Sequence, residues 1–251
     1  MIPPRQVETQ GECTKHNIRQ QTKVTVTFPA AEVTDEMLRE CAVLFAGHYG
    51  VWCDGAKRAS GTRVTLSIAR LRSDYLKDGD SFLTTHRLNG VLVGQAFFRR
   101  FTVTTIESDS QTTESGIWVT QLVVDALFRG RHVARTLLKN CFGRSDVWGG
   151  LLSSHPYAVR AFEAASECKC DPTLVLRIGL TILEAADVDY AANALATGFQ
   201  RNQCVMDTQF FVNHSDITRL LEGNTLGDWT LGNDLCDGEE FICVVRRRAV
   251  Q

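Results

Sequence analysis

Apolar and polar residues follow one another along this chain with two distinct periods, and each period predicts a local structure. Residues 23–28 alternate apolar and polar side chains, which is typical of a half-buried strand. Thr34 then precedes an acidic first turn, and an apolar stripe at helical spacing follows over residues 37–45. We therefore expect a strand and then a capped helix that ends near Gly47.

The next part of the chain predicts a helix and a β-hairpin. Apolar residues at helical spacing favour a second helix from about Thr62. Residues 81–104 contain two strand-like runs on either side of Asn89-Gly90, a pair favoured in two-residue hairpin turns. A further strand is expected from Ile117 to Val124.

A strand, a tight turn and a helix follow one another in the middle of the chain. After residue 124 comes a turn rich in Arg and Gly, and helical spacing resumes at Val133. A short apolar strand at 147–152 and a helix at about 157–166 repeat this order. Because antiparallel hairpins precede a βαβ unit, the predicted fold class is mixed α/β (α+β).

The C-terminal part gives a weaker pattern. Its predicted elements are a helix within 174–196, a strand at 203–212, a helix at 215–222 and a strand at 240–247. No repeat or linker divides the chain. We expect a loose lead-in over residues 1–22 and one domain over 23–251, elaborated from about residue 171 onward.

Composition narrows the function classes. The chain has 251 residues and a net charge of -2, which argues against a general nucleic-acid binder. Its apolar runs are too short to cross a bilayer, and the N-terminus lacks the apolar core of a signal peptide. The nine cysteines form no C-x-x-C pair, so we expect reduced thiols in a cytoplasmic protein and no metal site.

The turn before the predicted helix at Val133 is suited to a phosphate group. A helix N-terminus carries a partial positive charge and several unpaired amide donors. Arg129, Arg131 and Arg135 add guanidinium groups at this end, where the helix dipole disfavours cations unless an anion is bound. The turn matches neither a P-loop nor a dinucleotide-binding G-x-G-x-x-G.

This strand–turn–helix resembles motif A of the GNAT superfamily of acyl-CoA-dependent N-acyltransferases, which reads Q/R-x-x-G-x-G/A after a strand. His132 stands where the family has its middle glycine, and we expect its φ to be negative because it carries a Cβ. Residues 151–162 resemble the family's motif B, and the whole resemblance covers about residues 23–167. Residues 153–158 are also similar to GNAT-like proteins of filamentous fungi.

The resemblance implies a GNAT fold, in which a mixed central sheet is splayed between two parallel strands and helices cover both faces. It implies acetyl-CoA as acyl donor and direct attack by an amine. The implied cofactor-binding residues are Leu122, Val123, Val124, Arg129, Gly130, Arg131, His132, Val133 and Ala134. No acidic cluster suggests a histone-tail groove, so a small amine is favoured over a protein as acceptor, with a monomer or homodimer expected.

The catalytic groups are less well marked. By the motif B spacing, Phe162 occupies the position of the family's acidic tyrosine, and a phenyl ring has no proton to donate. His155 and Tyr157 are the remaining candidates for proton transfer. The alternatives are a histidine bonded to the backbone at a strand end and an aromatic residue packed at a helix start.

Residues near the first helix are candidates for the acceptor pocket. They are His48, Tyr49 and Trp52, which alternatively fasten the loop onto the core, together with Gln121 on the motif A strand. Glu114 and Gln121 are also candidate water-relay groups. Two rival interpretations remain open: an inactive acyl-CoA-binding protein on the same fold, and an interaction module that binds no CoA.

Overall fold

The computed structural model describes residues 22–107, 110–223 and 225–248, and within these ranges seven strands form a single sheet. The strands are β1 (Lys23–Pro29), β2 (Ser81–Leu88), β3 (Val91–Glu107), β4 (Ser110–Val124), β5 (Asp146–Ser153), β6 (Val205–Phe210) and β7 (Gly238–Arg246). The helices are α1 (Asp35–His48), α2 (Ile68–Tyr75), α3 (Val133–Cys141), α4 (Pro156–Ser166), α5 (Pro172–Ala186), α6 (Ala192–Thr197) and α7 (Ser215–Glu222).

The sheet is mixed and has the strand order β1-β2-β3-β4-β5-β7-β6. Strands β1 to β4 form an antiparallel meander, and β4 pairs with β5 in parallel through the connection that contains α3. β7 then lies antiparallel between β5 and β6. This arrangement confirms the predicted mixed α/β class.

Helices cover both faces of the sheet. On β3, Phe97 belongs to one core with α1 and α2, whereas Ala96 and Phe98 belong to another core with α3 and α4. Successive side chains of a strand point to opposite faces, so the two helix pairs lie on opposite sides of the sheet. Gly94 lets α3 approach closely, because a Cβ there would lie 2.8 Å from Val133 Cγ1.

The hairpin prediction is confirmed and the second helix prediction is partly wrong. Asn89 and Gly90 have φ values of 50° and 84°, the positive values that a two-residue hairpin turn of this kind requires. The helix expected from Thr62 begins only at Ile68, because the hydroxyl of Ser67 accepts a hydrogen bond from the Arg70 amide at 3.2 Å and caps it.

The predicted C-terminal helix is interrupted. α5 ends at Ala186, and Asp187 adopts a left-handed conformation with φ 50°. A 3-10 turn over Asp189–Ala191 then leads into α6. The strands β6 and β7 and helix α7 lie where the pattern predicts them, whereas the expected lead-in falls, apart from Thr22, outside the described residues.

Two further properties concern the described ranges alone. No helix there is both long and apolar enough to cross a membrane. All eight cysteines that the structure describes are free thiols, and six of them are buried.

Candidate active site

The parallel strands β4 and β5 separate at their carboxyl ends. Their pairing runs as far as Val119 and Leu151, while β4 continues for five residues to Val124. Phe97 and Phe98 of β3 pair with Gln121 and Val119, so Thr120 is an extra residue in β4 and forms a β-bulge. A bulge bends the strand that contains it, and this bend opens the sheet between β4 and β5.

The open edge of β4 presents backbone groups to this gap. The Asp125 amide donates to the Val93 carbonyl of β3 at 3.0 Å. Because alternate residues of an antiparallel strand direct their amide and carbonyl groups to the same neighbour, those of Leu122 and Val124 point away from β3 and into the gap. The predicted splay between β4 and β5 is therefore present in the fold.

The turn after β4 directs a series of amides outward. Asp125 Oδ1 accepts the Leu127 amide at 2.9 Å and so fixes a 3-10 turn over Ala126–Phe128. Gly130 and His132 then adopt left-handed conformations, with φ values of 71° and 63°. The expectation of a negative φ at His132 is wrong, since the chain can enter α3 from this turn only through a left-handed residue.

The amides of residues 130–135 donate to no acceptor in the described part of the chain. They lie at the N-terminus of α3, where the helix dipole adds a partial positive charge. Consecutive exposed amides of this kind form a cradle for an anion, and a diphosphate would satisfy several of them at once. The residues present thus fit the diphosphate of a CoA molecule.

The arginine side chains of the turn have different surroundings. Arg129 Nε donates to the Val124 carbonyl at 3.3 Å, and its guanidinium also donates to the His48 carbonyl. Arg129 therefore fastens the turn to the end of α1. The Arg131 guanidinium lies 5.5 Å from the centre of the Phe128 ring.

His48 at the end of α1 and the two residues after it, Tyr49 and Trp52, do not form one group. His48 Nδ1 accepts the Ala126 amide at 3.1 Å, which joins the end of α1 to the turn after β4. Trp52 contacts the Phe210 ring at 5.5 Å between centres, so it fastens the loop to the core. Tyr49 stacks on Phe45 at 4.3 Å between ring centres and is half-buried.

The two catalytic candidates on motif B lie at the start of α4. His155 Nδ1 accepts the Tyr157 amide at 3.3 Å and caps this helix. Burial lowers the pKa of His155, and the positive charge of Arg129 lowers it further. Tyr157 is 51% exposed, whereas Phe162 is fully buried in the core.

Of the two candidate relay residues, only Gln121 lies near the gap. Gln95 Nε2 donates to Gln121 Oε1 at 2.7 Å, and the Gln121 side chain lies beside Tyr75. Glu114 instead accepts the Trp148 indole N–H at 2.7 Å, at the opposite end of β4. Its proposed relay role is therefore wrong.

A buried carboxyl group that the sequence did not suggest lies beside the end of β5. Glu240 of β7 is 7% exposed, and Thr208 of the neighbouring strand β6 donates its hydroxyl proton to the Gly238 carbonyl at 3.2 Å. Burial raises the pKa of Glu240 to about 7, although the polar groups of Thr208 and Ser154 favour its ionised form. The signal in the sequence was the pair Glu239-Glu240 at the start of a strand whose next five residues are apolar.

The charge of this carboxyl group acts on three phenols, those of Tyr49, Tyr75 and Tyr190. Burial raises the pKa of each phenol, and the negative charge of Glu240 raises it further. The Tyr190 hydroxyl accepts the Trp118 indole N–H at 2.8 Å. A small cavity is lined by Tyr75, Thr120 and Tyr190.

Comparison with known proteins finds similar solved structures. No protein-family model and no curated protein sequence matches the chain. An aminoglycoside acetyltransferase from an uncultured soil metagenomic sample is 13% identical over 47% of this chain and 66% of its own, with a TM-score of 0.32. A GNAT family acetyltransferase from Staphylococcus aureus is 14% identical over 47% of this chain and 74% of its own, with a TM-score of 0.30.

A third similar structure is the NatC complex bound to Gag peptide and CoA. It is 13% identical over 55% of this chain and 81% of the matched chain, with a TM-score of 0.34. One of these three structures is a GNAT family acetyltransferase, the class that the sequence resembles. At TM-scores this low they bear on neither the acceptor nor the residues of this chain.

Proposed function

We propose that this protein is an acyl-CoA-dependent N-acetyltransferase of the GNAT class. The observation that carries the proposal is the run of unpartnered amides over residues 130–135, placed directly after the open edge of β4. The amides suit a diphosphate, and the Leu122 backbone groups and the Val124 amide suit an amide-containing arm beside it, whereas the Val124 carbonyl already accepts from Arg129 Nε. CoA combines a diphosphate with such an arm.

The roles of the chain's own residues follow from this placement. When bound, acetyl-CoA would supply a thioester carbonyl that an amine can attack. The turn amides would hold the diphosphate, Arg131 and Arg135 would add positive charge, and Arg129 would keep the turn fastened to α1. Val133 would support the cradle from the core, since its side chain is 5% exposed.

The acceptor that we propose is a small amine. His155 and Tyr157 lie at the start of α4, and we retain both as candidates for protonating the departing thiolate. Gln121 of β4 and Tyr49 after α1 would line the acceptor side. The rival proposal is an acyl-CoA-binding protein without turnover, which the buried Phe162 favours.

Calorimetric titration with acetyl-CoA tests the cofactor half of the proposal. Arg131→Glu is expected to weaken binding about tenfold or more, because it replaces a cation beside the diphosphate with an anion. The control is Arg177→Glu, a charge reversal on the exposed face of α5, which is expected to leave the affinity unchanged. Absence of acetyl-CoA binding by the unaltered protein would refute the proposal.

Release of free CoA in the presence of small amines tests whether the protein transfers the acetyl group. Turnover above the rate of hydrolysis supports an acetyltransferase. Tight binding of acetyl-CoA without any amine-dependent release supports the inactive rival instead.

A further inference from the structure

Buried polar atoms without a hydrogen-bond partner gather on strands β3 and β4. Within the described ranges, seven buried side-chain nitrogen and oxygen atoms lack a partner, and four of them lie on these two strands. They are Gln95 Oε1, Arg99 Nε, Thr120 Oγ1 and Gln121 Nε2. An unmet polar group loses its water on burial and gains nothing in return, so such a cluster beside the gap indicates a binding site.

Gln95 and Gln121 form a pair that meets only part of its own hydrogen-bonding capacity. Gln95 Nε2 donates to Gln121 Oε1 at 2.7 Å, and the two residues are 0% and 5% exposed. This bond leaves the carbonyl oxygen of Gln95 and the NH2 group of Gln121 unmet. Turning both amides over exchanges the two roles, and one carbonyl oxygen and one NH2 group still stay unmet.

The glutamine pair faces helices α1 and α2. Side chains directly opposite each other in an antiparallel pair lie on the same face of the sheet. Gln95 lies opposite Val123 and Gln121 lies opposite Phe97, and both apolar residues belong to the core with α1 and α2. Gln121 is also two residues beyond Val119, where the pairing of β4 with β5 has ended. The unmet groups therefore lie on one face of the sheet at the gap.

The chemistry of the unmet groups selects a neutral ligand. In the described part of the chain, neither glutamine is bonded to a charged side chain. A charged ligand group would lose its hydration here without a counter-charge. The ligand must bring one donor for the carbonyl oxygen and one acceptor for the NH2 group. An amide offers these on two separate atoms, one for each glutamine, whereas a hydroxyl has a single oxygen for both.

Resting on the acetyl transfer proposed above, we propose that Gln95 and Gln121 select an acceptor amine that carries a neutral amide group. The amide N–H of the acceptor donates to Gln95 Oε1, and its carbonyl oxygen accepts from Gln121 Nε2. The two glutamines determine specificity, and no covalent bond is made or broken at either of them.

Tyr75, the last residue of α2, stands over this part of the sheet. Its ring lies 5.4 Å from the Phe97 ring, between centres, and Phe97 is the residue opposite Gln121. Tyr75 and Thr120 also line a cavity of about 10 Å³, which has room for one water molecule. An acceptor therefore reaches the glutamine pair only after the Tyr75 side chain has moved.

The kinetic test compares two acceptors of the same shape, glycinamide and isobutylamine, of which only the first carries an amide. CoA release gives kcat/KM for each amine. The ratio of glycinamide to isobutylamine is expected to fall about tenfold or more in the double variant Gln95→Leu/Gln121→Leu. The control Gln111→Leu, at an exposed position of the same strand β4, is expected to keep the ratio of the unaltered protein.

A second measurement does not depend on the variant. The double variant is expected to fold, because it removes both unmet groups at once and keeps side chains of similar size. If it does not fold, nitrogen-15 NMR of the unaltered protein follows the side-chain NH2 resonances of Gln95 and Gln121. Glycinamide is expected to shift both resonances, and isobutylamine is expected to leave them in place.

The outcomes separate the two proposals. An unchanged ratio in the double variant, or NH2 resonances that glycinamide does not move, would refute the role of the glutamine pair. An equal fall in the ratio with ethanolamine in place of glycinamide would show that a hydroxyl serves as well, and would overturn the assignment of an amide. In each of these cases, amine-dependent release of CoA leaves the proposed function standing. If no amine releases CoA from the unaltered protein, the proposed function fails, and glycinamide must still shift both resonances for the amide site to stand.

Discussion

Replacing Glu240 with glutamine changes the pH dependence of stability in a direction that its burial fixes. The pKa of Glu240 is about 7 in the folded protein, against 4.5 for an unperturbed carboxyl. The folded protein therefore binds this proton more tightly than the unfolded chain does. The stability that the proton contributes is fully present below pH 4.5 and is lost as the pH rises through about 7.

The size of the effect follows from the same two values. The difference between 4.5 and about 7, at about 1.4 kcal/mol per pH unit, corresponds to about 3 kcal/mol. Solvent screening reduces this little, because the residue is 7% exposed. Glutamine resembles the protonated carboxyl and does not ionise, so Glu240→Gln is expected to lack this loss of stability.

Urea denaturation at several pH values measures the effect. As the pH is raised from 4.5 to above 7, the free energy of unfolding of Glu240→Gln is expected to rise by about 3 kcal/mol relative to that of the unaltered protein. All other carboxyl groups are shared by the two proteins and cancel in the difference. Glu184→Gln, at an exposed position of α5, is expected to give a constant difference. A constant difference for Glu240→Gln as well would show that the carboxyl group is not desolvated as described.

Two substitutions test the predicted motifs. His132→Gly removes a Cβ from a left-handed position, so the free energy of unfolding is expected to change by no more than about 1 kcal/mol. The affinity for acetyl-CoA is expected to be kept or increased. A large loss of affinity in calorimetry would mean that the imidazole, and not the amide, holds the ligand. Phe162→Tyr restores the residue type of the family but puts a hydroxyl into a fully buried site. It is therefore expected to lower the free energy of unfolding in urea by about 1–3 kcal/mol and not to speed the release of CoA. A faster release would contradict the placement of Phe162 in the core.

Local patterns in the sequence predict much of this fold. The hairpin turn at Asn89-Gly90 and the strand–turn–helix before α3 depend on residues that are neighbours in the chain, so their spacing is sufficient to predict them. The helix boundary at Ile68 was missed because apolar spacing continues upstream through Val64. That side chain is buried in a loop and not in a helix.

The groups around Glu240 could not be predicted from the sequence, because no local pattern brings them together. Tyr49, Tyr75, Tyr190 and Glu240 are far apart in the chain and meet only through the order of the strands. Met206 of β6 comes to lie opposite Glu240 in the same way. Placing these groups requires knowing that β7 lies beside β5, and neither composition nor periodicity contains that information.

The position of β7 also bears on how the molecule can be assembled during synthesis. Among the strands described, β7 is the last to be translated, yet it lies inside the sheet. It pairs with the edge of β5 that β4 does not cover. Until it has been made, β5 presents an unpaired and largely apolar edge, the kind of surface that invites aggregation. A nascent chain that stalls before Gly238 is therefore expected to bind chaperones. The turn that precedes α3 has by then already been translated.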